Sequence, residues 1–158
     1  MSVIRIMVVD DFEDWRRFVL SLLRQIPTLR VICEVSDGLE AVRKAEELKP
    51  DLILLDIGLP GVNGIEAARR IIRLCPSNSK ILFMSQHSDP EVVQEALSVG
   101  ARGYLLKTDA RAELIAAVEA LVKGEPFLSG RLAQSQFRRS SGRTIPEGRG
   151  FAYGEAHD

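Results

Sequence analysis

The 158-residue chain lacks the charge excess, the cysteine pattern and the long apolar runs that mark several specialised classes of protein. Its 21 basic and 22 acidic residues give a net charge of -1, which argues against nucleic-acid binding by the chain as a whole. The two cysteines, Cys33 and Cys75, fit no metal-binding spacing and sit among apolar residues. We interpret them as reduced, buried thiols.

Long hydrophobic runs are also missing. The apolar stretch of residues 3–9 is interrupted by Arg5 and ends at Asp10, so it is too short for a signal peptide or a membrane span. We therefore expect a cytoplasmic protein with no membrane partner. No internal repeat is visible, and the hydrophobic content of 46% is ample for the core of one domain.

Five short apolar runs alternate with five stretches of helical periodicity. The predicted strands cover residues 3–9, 31–35, 52–56, 80–84 and 103–106. Asp37, Asn63 and the Asp89-Pro90 pair are predicted to open three of the helices that follow, and Pro76 to end the helix that Asn63 opens. This alternation predicts an α/β fold with a doubly wound parallel sheet, right-handed crossovers and helices on both faces. The run 52–56 is wholly apolar up to Asp56, as expected of a strand buried on both faces.

The composition changes towards the C-terminus. After Ser129 the chain becomes rich in Arg, Ser and Gly and poor in apolar residues. We predict a domain of residues 1–124 and a tail of residues 125–158, in which Leu132, Ala133 and Phe137 could form one short helix before a flexible end. Five tail arginines could contact nucleic acid, but acidic residues are interspersed, which favours a solvated tail. These arginines are Arg131, Arg138, Arg139, Arg143 and Arg149.

Polar residues stand where the predicted strands end. They are Asp10 and Asp11 after the first strand, Asp56 after the third, Ser85 after the fourth and Lys107 after the fifth. Because parallel strands bring their carboxyl ends to one edge of a sheet, we expect these side chains to share one crevice.

The chemistry of this set points to phosphoryl transfer. Crowded carboxylates repel one another, and Mg²⁺ with oxygen ligands is the usual remedy. Asp10 or Asp11, Asp56 and the carbonyl of Gly58 would be its ligands. Lys107 and Ser85 would clamp an anion carried on Asp56, whose carboxylate would act as a nucleophile and form an acyl phosphate.

Four segments carry a resemblance to a known family: Val8-Val9-Asp10-Asp11, Leu55-Asp56-Ile57-Gly58-Leu59-Pro60-Gly61-Val62-Asn63-Gly64, Met84-Ser85 and Gly103-Tyr104-Leu105-Leu106-Lys107. Over residues 3–123 the chain resembles the receiver domain of two-component response regulators. With Phe127-Leu128-Ser129, it looks most like the NarL/LuxR-type subgroup.

The resemblance implies a flavodoxin-like sheet of five strands in the order 2-1-3-4-5. It further implies that Asp56 is the phosphoacceptor, that Asp10 and Asp11 hold Mg²⁺, and that Lys107 contacts the phosphoryl group. Ser85 and Tyr104 would be the switch residues, moving when the phosphoryl group arrives.

The family pattern is not complete in this sequence. Many receivers have proline after the lysine, where this chain has Thr108. Regulators of the subgroup continue into a helix-turn-helix domain, and no such pattern is visible in residues 130–158.

Simpler interpretations exist for each site residue. The Asp10-Asp11 pair could cap a helix, Asp56 could be a turn residue, Ser85 could cap a loop and Tyr104 could fill the core. His87 could lie at the mouth of the site or be an exposed loop residue.

Our main functional hypothesis is a signalling switch. A histidine kinase would phosphorylate Asp56, and the surface of residues 89–122 would then bind an output partner or a second copy of the domain. Such a protein is not an enzyme beyond its own phosphorylation and slow dephosphorylation.

Three rival hypotheses stay open at this point. An aspartyl-nucleophile phosphatase is one, although such enzymes generally have a second acid at the position of Gly58. A transcription regulator that binds DNA through its tail or a missing domain is another. The last is an adaptor or phosphate relay that works by protein contact alone.

Overall fold

The computed structural model describes residues 2–75, 79–130 and 132. The predicted helix end at Pro76, the tail helix residues Ala133 and Phe137 and the five tail arginines lie outside the described residues. No described helix is both long enough and apolar enough to cross a bilayer.

Strands and helices alternate along the chain as the sequence predicts. The strands are β1 (Ile4–Val9), β2 (Leu29–Val35), β3 (Leu52–Asp56), β4 (Lys80–Ser85), β5 (Gly103–Leu106) and β6 (Phe127–Leu128). The helices are α1 (Glu13–Leu23), α2 (Gly38–Leu48), α3 (Gly64–Leu74), α4 (Pro90–Ser98) and α5 (Ala110–Val122). A 3₁₀ turn (Lys107–Asp109) separates β5 from α5. The α/β class is thus confirmed.

The sheet is parallel and has the order β2-β1-β3-β4-β5-β6. The order of the first five strands is confirmed, but the count of five is wrong. A sixth strand pairs Phe127 with Gly103 and Leu128 with Tyr104. Two residues are too few to produce an alternating pattern, and this pairing depends on the neighbouring strand, so the sequence alone did not predict it. The division of the chain at residue 124 stays a prediction.

Short polar side chains begin three of the helices. The Asp37 carboxylate accepts the Glu40 N–H at 2.8 Å, and the Asn63 amide oxygen accepts the Glu66 N–H at 3.0 Å. Asp89, which directly precedes Pro90, accepts the Glu91 N–H at 2.9 Å. Each bond satisfies a backbone donor that the first turn of a helix leaves unpaired. The sequence prediction of these three helix starts is confirmed.

Two apolar layers cover the sheet, one on each face, and side chains that alternate along a strand contribute to both layers. In β1, Met7 and Val9 join the core under α2, α3 and α4, while Ile6 and Val8 join the core under α1 and α5. All five residues of β3 are buried, because β3 lies between β1 and β4 with helices on both faces. This burial fixes the position at which Asp56 emerges from the sheet.

Candidate functional site

The carboxyl ends of β1, β3 and β5 bring the predicted site residues together. Asp10, Asp11 and Asp56 each offer a carboxylate oxygen within 4.8 Å of the others. Lys107 reaches this group from the 3₁₀ turn that follows β5. Ser85 is buried at the end of β4. These residues come from widely separated parts of the chain, and the parallel sheet is what brings them to one edge.

Asp56 is the most constrained of the three acids. The residue is 8% exposed, and burial is the main cause that raises the pKa of its carboxyl, with the nearby charge of Asp10 adding to the effect. The charge and hydrogen bond of Lys107 and the backbone N–H of Gly58 act in the opposite direction. The pKa is still raised, so the ionised form of Asp56 is held at a cost in the folded protein.

Lys107 is the counter-charge of the acidic cluster. Its Nζ lies 2.6 Å from Asp10 Oδ2 and 3.5 Å from Asp56 Oδ1, so one ammonium serves two carboxylates. The same Nζ lies 5.0 Å from the centre of the Trp15 ring. The lysine side chain is 13% exposed, which limits the screening of these interactions by water.

Backbone contacts fix Asp10, whereas Asp11 is exposed. Asp10 is 1% exposed, and its Oδ1 accepts the Phe12 N–H at 2.9 Å. The Asp10 carbonyl accepts a hydrogen bond from Arg16 at 2.7 Å, and Arg16 also pairs with Glu34. Oδ2 of Asp10 accepts a hydrogen bond from Lys107, and Asp11 is exposed to solvent.

The three acids have the chemistry of a site for a hard divalent cation. They present carboxylate oxygens in one group, which Mg²⁺ prefers over nitrogen or sulfur ligands. Asp11 is accessible from solvent, so water could complete the octahedral coordination that Mg²⁺ requires. The residues present therefore fit Mg²⁺, while a contribution from the Gly58 carbonyl stays a prediction.

Ser85 and Tyr104 meet through the backbone of His87. The Ser85 hydroxyl accepts the His87 N–H at 3.0 Å, and the Tyr104 hydroxyl donates to the His87 carbonyl at 2.8 Å. The Tyr104 residue is fully buried, and burial is the main cause that raises its pKa to about 12. His87 itself is exposed, so its backbone, and not a buried side chain, links the two predicted switch residues.

The loop after Asp56 is held close to the strand by a glycine. The Gly64 N–H donates to the Ile57 carbonyl at 2.8 Å, and a Cβ on Gly64 would lie 2.0 Å from the Asp56 carbonyl oxygen. Any other residue at position 64 would force the start of α3 away from β3. The glycine thus sets the position of the loop that follows the central acid.

Two residues that contact this region had not been predicted to do so. Trp15 recurs at helical spacing on α1 and therefore looked like a core residue, yet its ring faces Lys107. Ser129 follows β6, where its Oγ accepts the Leu106 N–H at 2.7 Å and its own N–H donates to the Tyr104 carbonyl at 3.0 Å. The Phe127-Leu128-Ser129 segment was the available signal for the second contact.

Comparisons with known proteins agree with this geometry. A family model described as the response regulator receiver domain matches residues 6–119. The chain is 40% identical over 147 residues to the transcriptional regulatory protein LiaR of Bacillus subtilis, covering 91% of this chain and 69% of LiaR. It is 36% identical over 139 residues to the transcriptional regulatory protein DegU of Brevibacillus brevis, covering 86% of this chain and 58% of DegU. The chain therefore spans little more than half of the length of relatives such as DegU.

Solved structures show the same likeness. A two-component response regulator of the LuxR family from Aurantimonas sp. SI85-9A1 superimposes with a TM-score of 0.84 at 34% identity, covering 89% of this chain and 99% of that one. The signal receiver domain of the putative response regulator NarL from Mycobacterium tuberculosis gives a TM-score of 0.74 at 33% identity, covering 79% of this chain and 100% of that one. The resemblance to NarL/LuxR-type regulators is thus confirmed.

Proposed function

This chain belongs to the response regulator receiver family, and from that premise we propose that Asp56 accepts a phosphoryl group from a sensor histidine kinase. One observation supports this role above the others. Asp56 ends a buried strand, and its Oδ1 lies 3.5 Å from the Lys107 ammonium in a cluster of three carboxylates. A nucleophilic carboxylate beside a cation and a site for Mg²⁺ is what transfer to an acyl phosphate requires.

The transfer uses the ionised form of Asp56. One carboxylate oxygen attacks phosphorus, an oxygen–phosphorus bond forms, and the phosphorus–nitrogen bond of the donor phosphohistidine breaks with its electron pair going to the imidazole. Lys107 stabilises the negative charge that the phosphoryl oxygens bring to Asp56. Because Lys107 also lowers the pKa of Asp56 against the effect of burial, it favours the form that can attack.

Mg²⁺ is the proposed cofactor, held by Asp10, Asp11 and Asp56 with the Gly58 carbonyl. When bound, it would supply positive charge to the phosphoryl oxygens. Asp10 and Asp56 are buried and Asp11 is exposed, so Asp11 would be the acid that meets the ion first. Lys107 pairs with Asp10 in the structure and would share that carboxylate with the ion.

We propose Ser85 and Tyr104 as the switch. Both hydroxyls bond the backbone of His87, the second residue after β4. If Ser85 turned towards a phosphoryl group, it would lose the His87 N–H, and the segment that holds the Tyr104 hydroxyl would be free to move. That movement would change the surface formed by α4, β5 and α5, where a partner or a second copy would bind.

Regulation of transcription is the second candidate function. The relatives LiaR and DegU are named transcriptional regulatory proteins, and this chain spans 69% and 58% of their lengths. DNA binding would require residues 130–158 or further sequence to supply the contacts. Salt-sensitive DNA binding that is lost when residues 130–158 are deleted would support this candidate, and binding that survives the deletion would contradict that assignment. A cytoplasmic location and the absence of substrate turnover stay predictions.

The test of the phosphoacceptor role is chemical labelling. Wild-type protein incubated with acetyl phosphate and Mg²⁺ should gain one phosphoryl group by intact-protein mass spectrometry, and Asp56→Asn should gain none. Asp51→Asn is the matched control, because Asp51 directly precedes the start of the strand that Asp56 ends. An unlabelled wild type, or a label that persists in Asp56→Asn, would refute the proposal. Steady hydrolysis of a phosphate monoester would instead favour the phosphatase.

A further inference from the structure

The Lys107 ammonium has an aromatic partner as well as two carboxylates. Asp10 and Asp56 approach its Nζ at 2.6 and 3.5 Å, and the Trp15 ring centre lies 5.0 Å away. Trp15 is the single tryptophan of the chain. It stands near the start of α1, where its ring packs against Phe18 with the centroids 5.1 Å apart.

A lysine confined by carboxylates alone would keep considerable freedom. Its four-carbon stem is flexible, and its ammonium is a compact charge that can move between neighbouring oxygens. An aromatic face within about 6 Å attracts such a charge, indole more than the other rings, and the attraction is strongest where water is excluded. The 13% exposure of the Lys107 side chain meets that condition.

The indole nitrogen of Trp15 forms no hydrogen bond with a described residue, so the contacts of the ring itself are what the structure shows around it. Trp15 Nε1 is buried and has no hydrogen-bond partner among the residues that the structure describes. Buried indole N–H groups usually find an acceptor, and no described residue fixes this ring by such a bond. The structure shows instead that Lys107 lies over the face of the Trp15 ring and that the ring packs against Phe18.

We propose that Trp15 is a positioning residue for Lys107, holding the ammonium beside Asp56 so that it meets an arriving phosphoryl group. This inference rests on the proposed phosphoacceptor function. Trp15 acts only through the lysine, so its removal should slow labelling of Asp56 while leaving the three carboxylates in place. The same contact makes the emission of Trp15 sensitive to where the ammonium lies.

The first test compares side chains that differ in their aromatic face. With acetyl phosphate and Mg²⁺, we expect Trp15→Met to label about three- to tenfold more slowly than wild type, and Trp15→Phe to fall between them. Phe18→Leu is the matched control, because it keeps an apolar neighbour beside the Trp15 ring while removing an aromatic ring that contacts Arg111. It should label at the wild-type rate. Denaturant unfolding identifies any variant that is not folded.

The second test does not depend on the rate or on the folding of the Trp15 variants. Tryptophan emission is recorded for wild type and for Lys107→Met, before and after addition of Mg²⁺ with beryllofluoride, a phosphoryl mimic. The emission of the two proteins should differ at the start, and the mimic should change the wild-type signal by much more than that of Lys107→Met. Identical emission in both proteins would refute the contact.

The outcomes separate the two proposals. A wild type that is never labelled on Asp56 contradicts the phosphoacceptor function itself. A wild type that is labelled, together with a folded Trp15→Met that reacts at the same rate, contradicts only the positioning role of Trp15. Equal slowing in Trp15→Met and Phe18→Leu would also contradict it, because the loss would then belong to the packing of α1.

Discussion

The Lys107 ammonium lies 2.6 Å from Asp10 Oδ2, although the two residues are 97 positions apart in the sequence. Asp56, the proposed phosphoacceptor, is the more distant partner at 3.5 Å. In the structure the lysine therefore neutralises an acid that we propose as a ligand of Mg²⁺. Lys107 and Mg²⁺ would therefore compete for the Asp10 carboxylate, although both would stabilise the negative charge of a phosphoryl group on Asp56.

Lys107→Ala should therefore change two properties in opposite directions. Removing a positive charge from the cluster should tighten Mg²⁺ binding by roughly fivefold or more, because even about 1 kcal/mol of lost repulsion has that effect. Labelling by acetyl phosphate should become at least about tenfold slower, since the charge that stabilises the phosphoryl oxygens is lost. Calorimetric Mg²⁺ titration and labelling kinetics measure the two effects. Exposed Lys123→Ala should change neither, and weaker Mg²⁺ binding in Lys107→Ala would contradict the competition.

Asp56→Asn should stabilise the protein at neutral pH. Because burial raises the pKa of Asp56 in the folded state, ionisation destabilises the fold as the pH rises from about 4 through the raised pKa, and the cost persists above it. We expect the variant to gain on the order of 1 kcal/mol in free energy of unfolding at pH 7. The gain should vanish below pH ~4, where both states of the wild type are protonated. Urea unfolding across this pH range would show a constant difference if the prediction is wrong.

Ionisation of Tyr104 should make the folded protein less stable at alkaline pH. Its pKa is raised to about 12 in the folded protein, so between its ordinary value near 10 and about 12 the unfolded state ionises before the folded state does. Stability should fall by roughly 2 kcal/mol through that window. Tyr104→Phe should lack this contribution while losing about 1 kcal/mol at neutral pH with the bond to His87. Parallel stability curves for the two proteins above pH ~10 would contradict the buried, neutral tyrosine.

Ser129→Ala should destabilise the end of β5. The Ser129 hydroxyl accepts the buried Leu106 N–H, and alanine would leave that donor unsatisfied, at about 1–3 kcal/mol. Ser98→Ala is the control, because the Ser98 hydroxyl donates to the Glu95 carbonyl in its own exposed helix turn. Its free energy of unfolding should stay within about 0.5 kcal/mol of wild type. Equal effects in the two variants would show that the Ser129 bond is not a special support.

Much of the fold and of the site could be predicted from the sequence, because both follow from the alternation of strands and helices along the chain. A wholly apolar run ending in Asp56 predicts a central strand, and strands of one direction place Asp10, Ser85 and Lys107 at the same edge. The helix starts at Asp37, Asn63 and Asp89 follow from local side-chain chemistry that needs no tertiary information. The family likeness supplied the expected roles of these residues and the strand order.

Other features depend on distances that no pattern contains. Trp15 has the spacing of a core residue, and only the packing of α1 over the sheet edge shows its ring beside Lys107. The link from Ser85 to Tyr104 passes through the His87 backbone, which sequence reasoning considered only as a side chain. Strand β6 is too short to have a period, and its two residues become a strand only because β5 offers unpaired backbone groups.

The pairing of β6 with β5 also has a practical consequence for anyone who shortens the chain. A fragment that ends at Gly124 would lose Phe127 and Leu128, and with them the cover over one side of β5. Unpaired edge strands recruit other strands, so such a fragment would be prone to self-association and aggregation that have nothing to do with signalling. A dimer seen with that fragment has to be compared with the assembly of protein that keeps residues 125–130, because only the latter has β5 covered by β6.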